Sequence, residues 1–131
     1  MTKGPLTNLQ VEEVAIQLVL DREQSAGRAA ADTRGKGGLV DIEGDWLIEV
    51  KAFGGSARGA DLWLETRQVQ AALDDPLRFH LVVVEHIRTG QPRLIDIHGE
   101  RLTTLLNRRR EKHYFEVPFP TGVYDSLVQD T

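Results

Sequence analysis

Hydrophobic positions recur along this chain in two rhythms, one of three and four residues and one of two. Val11, Val14, Ala15, Leu18 and Val19 follow the first and define one face of a helix. Thr7 and Gln10 ahead of them have capping-box spacing. Steps of seven from Ile16 and four from Val19 lead to Glu23, at the edge of the apolar face. Gly27 is a C-terminal stop. Residues 28–37 are polar and glycine-containing and read as a mobile loop.

The period then changes to two. Leu39–Ile42 reads as a short strand and Trp46–Phe53 as a longer one, joined through Glu43, Gly44 and Asp45. Alternation places Trp46, Ile48 and Val50 on one face, and Leu47, Glu49 and Lys51 on the other. A glycine-rich excursion follows, with Asp61–Leu64 as a candidate third strand. Thr66 caps a helix through Gln68, Val69, Ala72 and Leu73, which Pro76 ends. The unbroken run Leu81–Val84 predicts a buried central strand, and Pro92–His98 an alternating one. Glu100–Arg110 reads as a helix and His113–Val117 as a short extended piece, and Pro118 and Pro120 break regular structure. The order predicts an α/β sandwich on a mixed sheet, one domain over 1–131 with its core at about 9–117 and an irregular extension over 118–131.

Composition narrows the classes. At 131 residues one domain is expected. The absence of cysteine excludes a disulfide scaffold and thiolate zinc. No apolar run approaches the ~20 residues of a membrane span, and Met1–Pro5 lacks the layout of a signal peptide. The expected setting is cytoplasmic, without a membrane partner. The 16 basic residues against 20 acidic ones, a net charge of −4, argue against a simple basic coat for nucleic acid.

The chemistry concentrates on Asp41, Glu49 and Lys51. Glu49 and Lys51, two apart on a strand, leave from the same face. A two-residue turn would set Asp41 opposite Ile48 and aim it away from them. A three-residue turn over Glu43–Asp45 sets it opposite Leu47 and on their face, and this odd-length turn is the prediction. Two converging carboxylates repel and desolvate each other. Mg²⁺ or Mn²⁺ resolves that conflict, because both take oxygen ligands and can activate phosphoryl chemistry. Lys51 beside them can orient water or neutralise developing charge. Glu23 supplies a third carboxylate if the first helix packs over this face. A solvated strand face carrying an ordinary ion pair accounts for Glu49 and Lys51 equally simply.

With Asp41 followed by Ile48-Glu49-Val50-Lys51, the chain resembles the core of the PD-(D/E)xK, restriction-endonuclease-like nuclease superfamily. It is more closely similar to a domain of unknown function found at the C-terminus of plant NO VEIN proteins and in many bacterial defence-associated proteins. The likeness covers roughly residues 9–98. It includes Glu23 before Gly27, the Leu39-Val40-Asp41-Ile42 strand, and Leu64-Glu65-Thr66-Arg67-Gln68 with Ala72 beyond it. Gly38 stands one place early, and Gln68 replaces the glutamate usual there.

The resemblance implies a restriction-endonuclease-like α/β sandwich and metal-dependent phosphodiester hydrolysis of nucleic acid, DNA before RNA. It assigns Glu23, Asp41 and Glu49 to Mg²⁺ or Mn²⁺, with Lys51 and Gln68 as catalytic groups. Arg28, Arg34, Lys36, Arg58 and Arg67 are the expected phosphate contacts. A homodimer, or a partner protein of a defence or repair system, is the expected assembly. The competing class is a binding or interaction module that keeps the fold without the chemistry.

The remaining motifs carry less. His80, His86, His98 and His113 have no close metal-ligand spacing, and most of them read as surface or edge residues, with a catalytic histidine as the minor alternative. Gly35–Gly38 lacks the spacing of a phosphate loop. Trp46 and Trp63 read as packing residues, and Arg108–Arg110 as a solvated run at a helix end.

Overall fold

A computed structural model of the chain describes residues 5–129. The Met1–Gly4 start, read above as no leader, lies outside the described residues, as do the last two of the C-terminal extension.

Helix α1 (Asn8–Ser25) begins at a reciprocal capping box, with Gln10 N–H donating to Thr7 Oγ1 and Thr7 N–H to Gln10 Oε1. It ends at Ala26, and Gly27 follows with φ of +75°, the left-handed conformation that suits glycine. The segment expected to be a loop contains strand β1 (Ala30–Asp32), which pairs antiparallel with β2 (Ile42–Gly44). Its three residues are too few to show a period in sequence. A Cβ at Gly44 would collide with the Ala29 carbonyl, so this close approach of backbones needs glycine.

β2 pairs antiparallel with β3 (Leu47–Ala52) through Ile42↔Ile48 and Glu43↔Leu47. The connection is the odd-length Gly44–Trp46, one residue later than predicted. Continuing the register one step sets Asp41 opposite Glu49 instead of Leu47. The parity, and therefore the face, is the expected one.

From β3 the chain crosses through α2 (Thr66–Asp74) to β4 (Phe79–Glu85), parallel to β3, and β5 (Arg93–Ile97) returns antiparallel. The sheet order is β1-β2-β3-β4-β5, mixed and flanked by helices, so the α/β sandwich is observed. Asp61–Leu64 forms no strand. Glu65, not Thr66, is the N-cap of α2, and Gln68 completes its capping box. α3 (Gly99–Leu106) is shorter than Glu100–Arg110. His113–Val117 makes no strand, and the extension holds α4 (Thr121–Gln129), which has no buried residue. Among the described residues, no helix is long and apolar enough to cross a membrane.

All seven residues of β4 are buried. On one sheet face Ile42, Ile48, Val50, Val82 and Val84 pack under Val11, Ala15, Ile16 and Val19 of α1. On the other, Phe79, Leu81 and Val40 pack with Ala72, Leu102 and Leu106 of α2 and α3. Burying each large aliphatic group contributes about 1.5–3 kcal/mol. Ile48→Ala, at a position 1% exposed, is expected to cost about 2–5 kcal/mol in urea unfolding. Leu9→Ala, at 71% exposure, is expected to stay within about 0.5 kcal/mol.

Candidate functional site

The hairpin and α1 build a cleft of about 480 Å³ at the C-terminal end of β3. Asp41, Glu49 and Lys51 line it, together with Asn8 and Glu12 from the start of α1 and Asp61 from the excursion. Asp41 Oδ2 accepts the Val50 N–H at 2.9 Å, which fixes its carboxylate against β3. Thr33 holds the preceding backbone by donating to the carbonyls of Val40 and Asp41. Lys51 Nζ donates to Glu49 Oε2 at 3.0 Å, while Glu49 Oε1 is buried without a partner. Burial first, then the charge of Asp41, push the Glu49 carboxyl above its usual range, against the pull of Lys51.

Supporting contacts hold the cleft walls. Gln68 is buried, takes the Glu65 N–H on Oε1 and donates to the Leu39 carbonyl at 3.0 Å. Its amide thus ties α2 to the segment that carries Asp41 and is not among the groups lining the cleft. Glu85 is buried at the end of β4, where it accepts the Ala57 N–H and the Arg93 guanidinium. His86, at φ +61°, donates its N–H to the Gly55 carbonyl. These bonds moor the glycine-rich excursion that brings Asp61 and Trp63 to the cleft; Trp63 is 54% exposed there and is not a core residue.

Glu23 is not brought to this cleft. α1 packs on the Ile48–Val50 face, and only its first turns reach the Asp41–Glu49 site. Glu23 lies eleven residues beyond Glu12, roughly 16 Å along the axis. There it is 1% exposed between Arg22, at 2.8 Å, and Arg28. The helix carboxylate in the cleft is Glu12. Its signal in sequence is the four-residue step from Asn8, which sets both on one flank of the helix.

The expected phosphate contacts are scattered. Arg28 pairs with Glu23 and stacks over Trp46 at 3.6 Å. Arg34 pairs with Asp32, Glu12 and Glu13. Arg67 bonds Glu65 and the Gly38 carbonyl, and Lys36 and Arg58 are exposed on their loops. His80 contradicts the surface reading of the histidines: it is 1% exposed, stacked on Trp46 with centroids 3.7 Å apart.

Burial pushes the Glu23 carboxyl up, but the hydrogen bonds and charges of Arg28 and Arg22 outweigh it and hold the group below its usual 4.5. A depressed carboxyl contributes stability that is present above the unfolded-state value and is lost as pH falls through the folded one. The stability gap between wild type and Glu23→Gln is therefore expected to be constant from neutral pH down to about pH 5 and to shrink with further acidification. Urea melts across that range measure it, and a gap of constant size down to pH 2 would contradict the ion-pair account.

The family model for the C-terminal region of Protein NO VEIN matches residues 11–97, from the first helix through the last strand of the sheet. No curated protein and no solved structure matches the chain. The matched stretch contains Glu12, Asp41, Glu49, Lys51 and Gln68, and spans about two thirds of the sequence. The chain belongs to the NO VEIN C-terminal family.

Proposed function

We propose that this domain is a metal-dependent phosphodiester hydrolase of the PD-(D/E)xK type, acting on nucleic acid, DNA before RNA. The observation that carries the reading is the Asp41–Glu49 pair, two carboxylates in one cleft with Glu49 Oε1 buried and unpartnered and Lys51 on the same strand face. An acid pair that raises its own ionisation cost is a poor structural device and a good cation ligand set.

The donor set is all oxygen and fits Mg²⁺ or Mn²⁺. Asp41 and Glu49 would hold the ion; Glu12 of α1 lines the same cleft with one carboxylate oxygen already on Arg34. Bound there, such an ion supplies Lewis-acid polarisation of a phosphoryl oxygen and a more acidic water. Lys51 keeps Glu49 oriented through its 3.0 Å bond and presents an ammonium to a phosphate oxygen in the cleft. Gln68 acts through position alone, by fixing the Leu39 carbonyl two residues before Asp41. Lys36 and Arg58, exposed on their loops, remain candidates for phosphate contacts, and Arg67 joins them by giving up its bond to Glu65, while Glu23 and Asp32 engage Arg28 and Arg34. Cutting both strands of a duplex calls for a second cleft, supplied by a homodimer or a partner protein.

One observation favours a second reading, a non-catalytic interaction module. Among the described residues, Glu12, Asp41, Glu49 and Asp61 line the cleft against the ammonium of Lys51, with Arg34 on Glu12 and Arg110 near Asp61 from outside the lining, a field that repels phosphate unless cations offset it.

Two measurements separate the readings. With Mn²⁺ or Mg²⁺ and plasmid, linear or single-stranded DNA and RNA, cleavage is expected for wild type. It should fall about 10²–10³-fold in Lys51→Ala. Cleavage equal in both proteins would point to a contaminant and reject the assignment. Mn²⁺ at about 100 times its Kd should add roughly 2.7 kcal/mol to wild-type stability and nothing to Asp41→Asn. A melting temperature unmoved by any divalent concentration would favour the non-catalytic module.

A further inference from the structure

At the far end of α1 from the cleft, the β4–β5 pairing assembles a second group of ligand-type side chains. The register sets Leu81 opposite Ile97 and Val82 opposite Asp96, and one step further sets His80 opposite His98. Nδ1 of His80 and Nδ1 of His98 both lie on Asp96 Oδ1, at 2.7 and 3.2 Å. One ligand atom from each of the three residues lies within 4.8 Å of the others. We propose that His80, Asp96 and His98 form a binding site for a transition ion of the zinc type, separate from the Asp41–Glu49 cleft.

The donor chemistry selects the ion. Two imidazoles and one carboxylate suit Zn²⁺, Ni²⁺ or Co²⁺ and are poor partners for Mg²⁺. Ligand atoms about 2.0–2.1 Å from one zinc ion stand roughly 3.3 Å apart. His98 Nδ1 already lies 3.2 Å from Asp96 Oδ1, and His80 Nδ1, hydrogen-bonded to it at 2.7 Å, has to open by several tenths of an ångström. A three-ligand set leaves a coordination position for water or another small donor.

His80 is prepared for the role. Its ring is 1% exposed and stacked between Trp46 and His98. Its Nε2 is buried with no hydrogen-bond partner, so moving the proton from Nδ1 to Nε2 breaks no bond at Nε2. Asp96 is held from behind by Arg22, which donates to Oδ2 at 2.9 Å and leaves Oδ1 to the histidines. The His80 and His98 rings stack at 4.4 Å and 26°, so an ion near both ring planes requires one ring to turn. His98, with a side chain 49% exposed, has room to do so. Arg22 and Arg28 face Glu23 and Asp96, and Asp45 also acts on Arg28, so the surrounding charges nearly balance and ligand bonds hold the ion.

The test uses the full chain, stripped with chelator and kept in excess Mg²⁺ so that oxygen-ligand sites are filled. Zinc titration by calorimetry is expected to show one ion per chain. Affinity should drop at least about tenfold in His98→Ala, whose exposed position spares the fold, and stay unchanged in Asp41→Asn. In a Trp63→Phe background Ni²⁺ should quench Trp46, which stacks on His80, and His98→Ala should weaken that quenching in parallel. Zinc affinity indifferent to His98→Ala, zinc binding lost in Asp41→Asn, or no zinc binding at all would each overturn the proposal. Because wild type can pass this test whether or not it cleaves nucleic acid, the outcome is independent of the proposed hydrolase.

Discussion

The placement of both candidate sites follows from the parallel β3–β4 pair, and the reason lies in what such a pair demands. The β3–β4 ladder runs from Leu47↔Phe79 to Ala52↔Val84, and a parallel pair needs a crossover that covers one sheet face. α2 and α3 supply that cover, and α1 covers the opposite face. Both faces of β4 are therefore apolar except at its ends. His80 and Glu85, near its start and at its end, are the ionisable residues of the strand and each is tied to a specific partner. The hydrophobic requirement in the middle pushes the chemistry to the two ends of the sheet.

That division separates Glu12 from Glu23. Both belong to one helix, yet α1 spans the sheet, so its first turns meet the Asp41–Glu49 end and its last turns meet the His80–Asp96 end. A buried carboxylate needs a charged partner wherever it sits. At one end Arg22 and Arg28 provide it for Glu23. At the other, Glu49 has only Lys51 on one oxygen and an acid across the hairpin. The same residue type is structurally satisfied in one place and left unsatisfied in the other, and unsatisfied groups are where ligands are to be sought.

How much was legible in sequence follows from the range of each signal. Period-two alternation fixed the faces of Trp46–Lys51, and the apolar run Leu81–Val84 marked a buried interior strand, fourth of the five and not the middle one, because burial writes those patterns directly. The parity of the hairpin was readable, since one face had to be apolar. Its exact register was not, because sliding by two residues preserves every face. β1 escaped because three residues cannot display a period, and α4 escaped because a helix with no buried residue, following two prolines, carries no burial pattern. The Glu23 expectation rested on a helix edge, and an edge does not say which end of the sheet it overhangs.

The histidines show the same limit most sharply. His80 and His98 are eighteen residues apart, and linear spacing offers no reason to join them. Antiparallel pairing turns that separation into adjacency once Val82↔Asp96 is known, because His98, extended one residue past β5, is two from Asp96 and so shares its face. A search for ligand spacing in sequence detects sites built on one helix or one turn. A site laid across two strands needs the register first, and here the register comes from the apolar residues between the histidines: Leu81, Val82, Val83 and Val84 against Leu94, Ile95 and Ile97. The residues with no chemistry of their own decide which chemical groups meet.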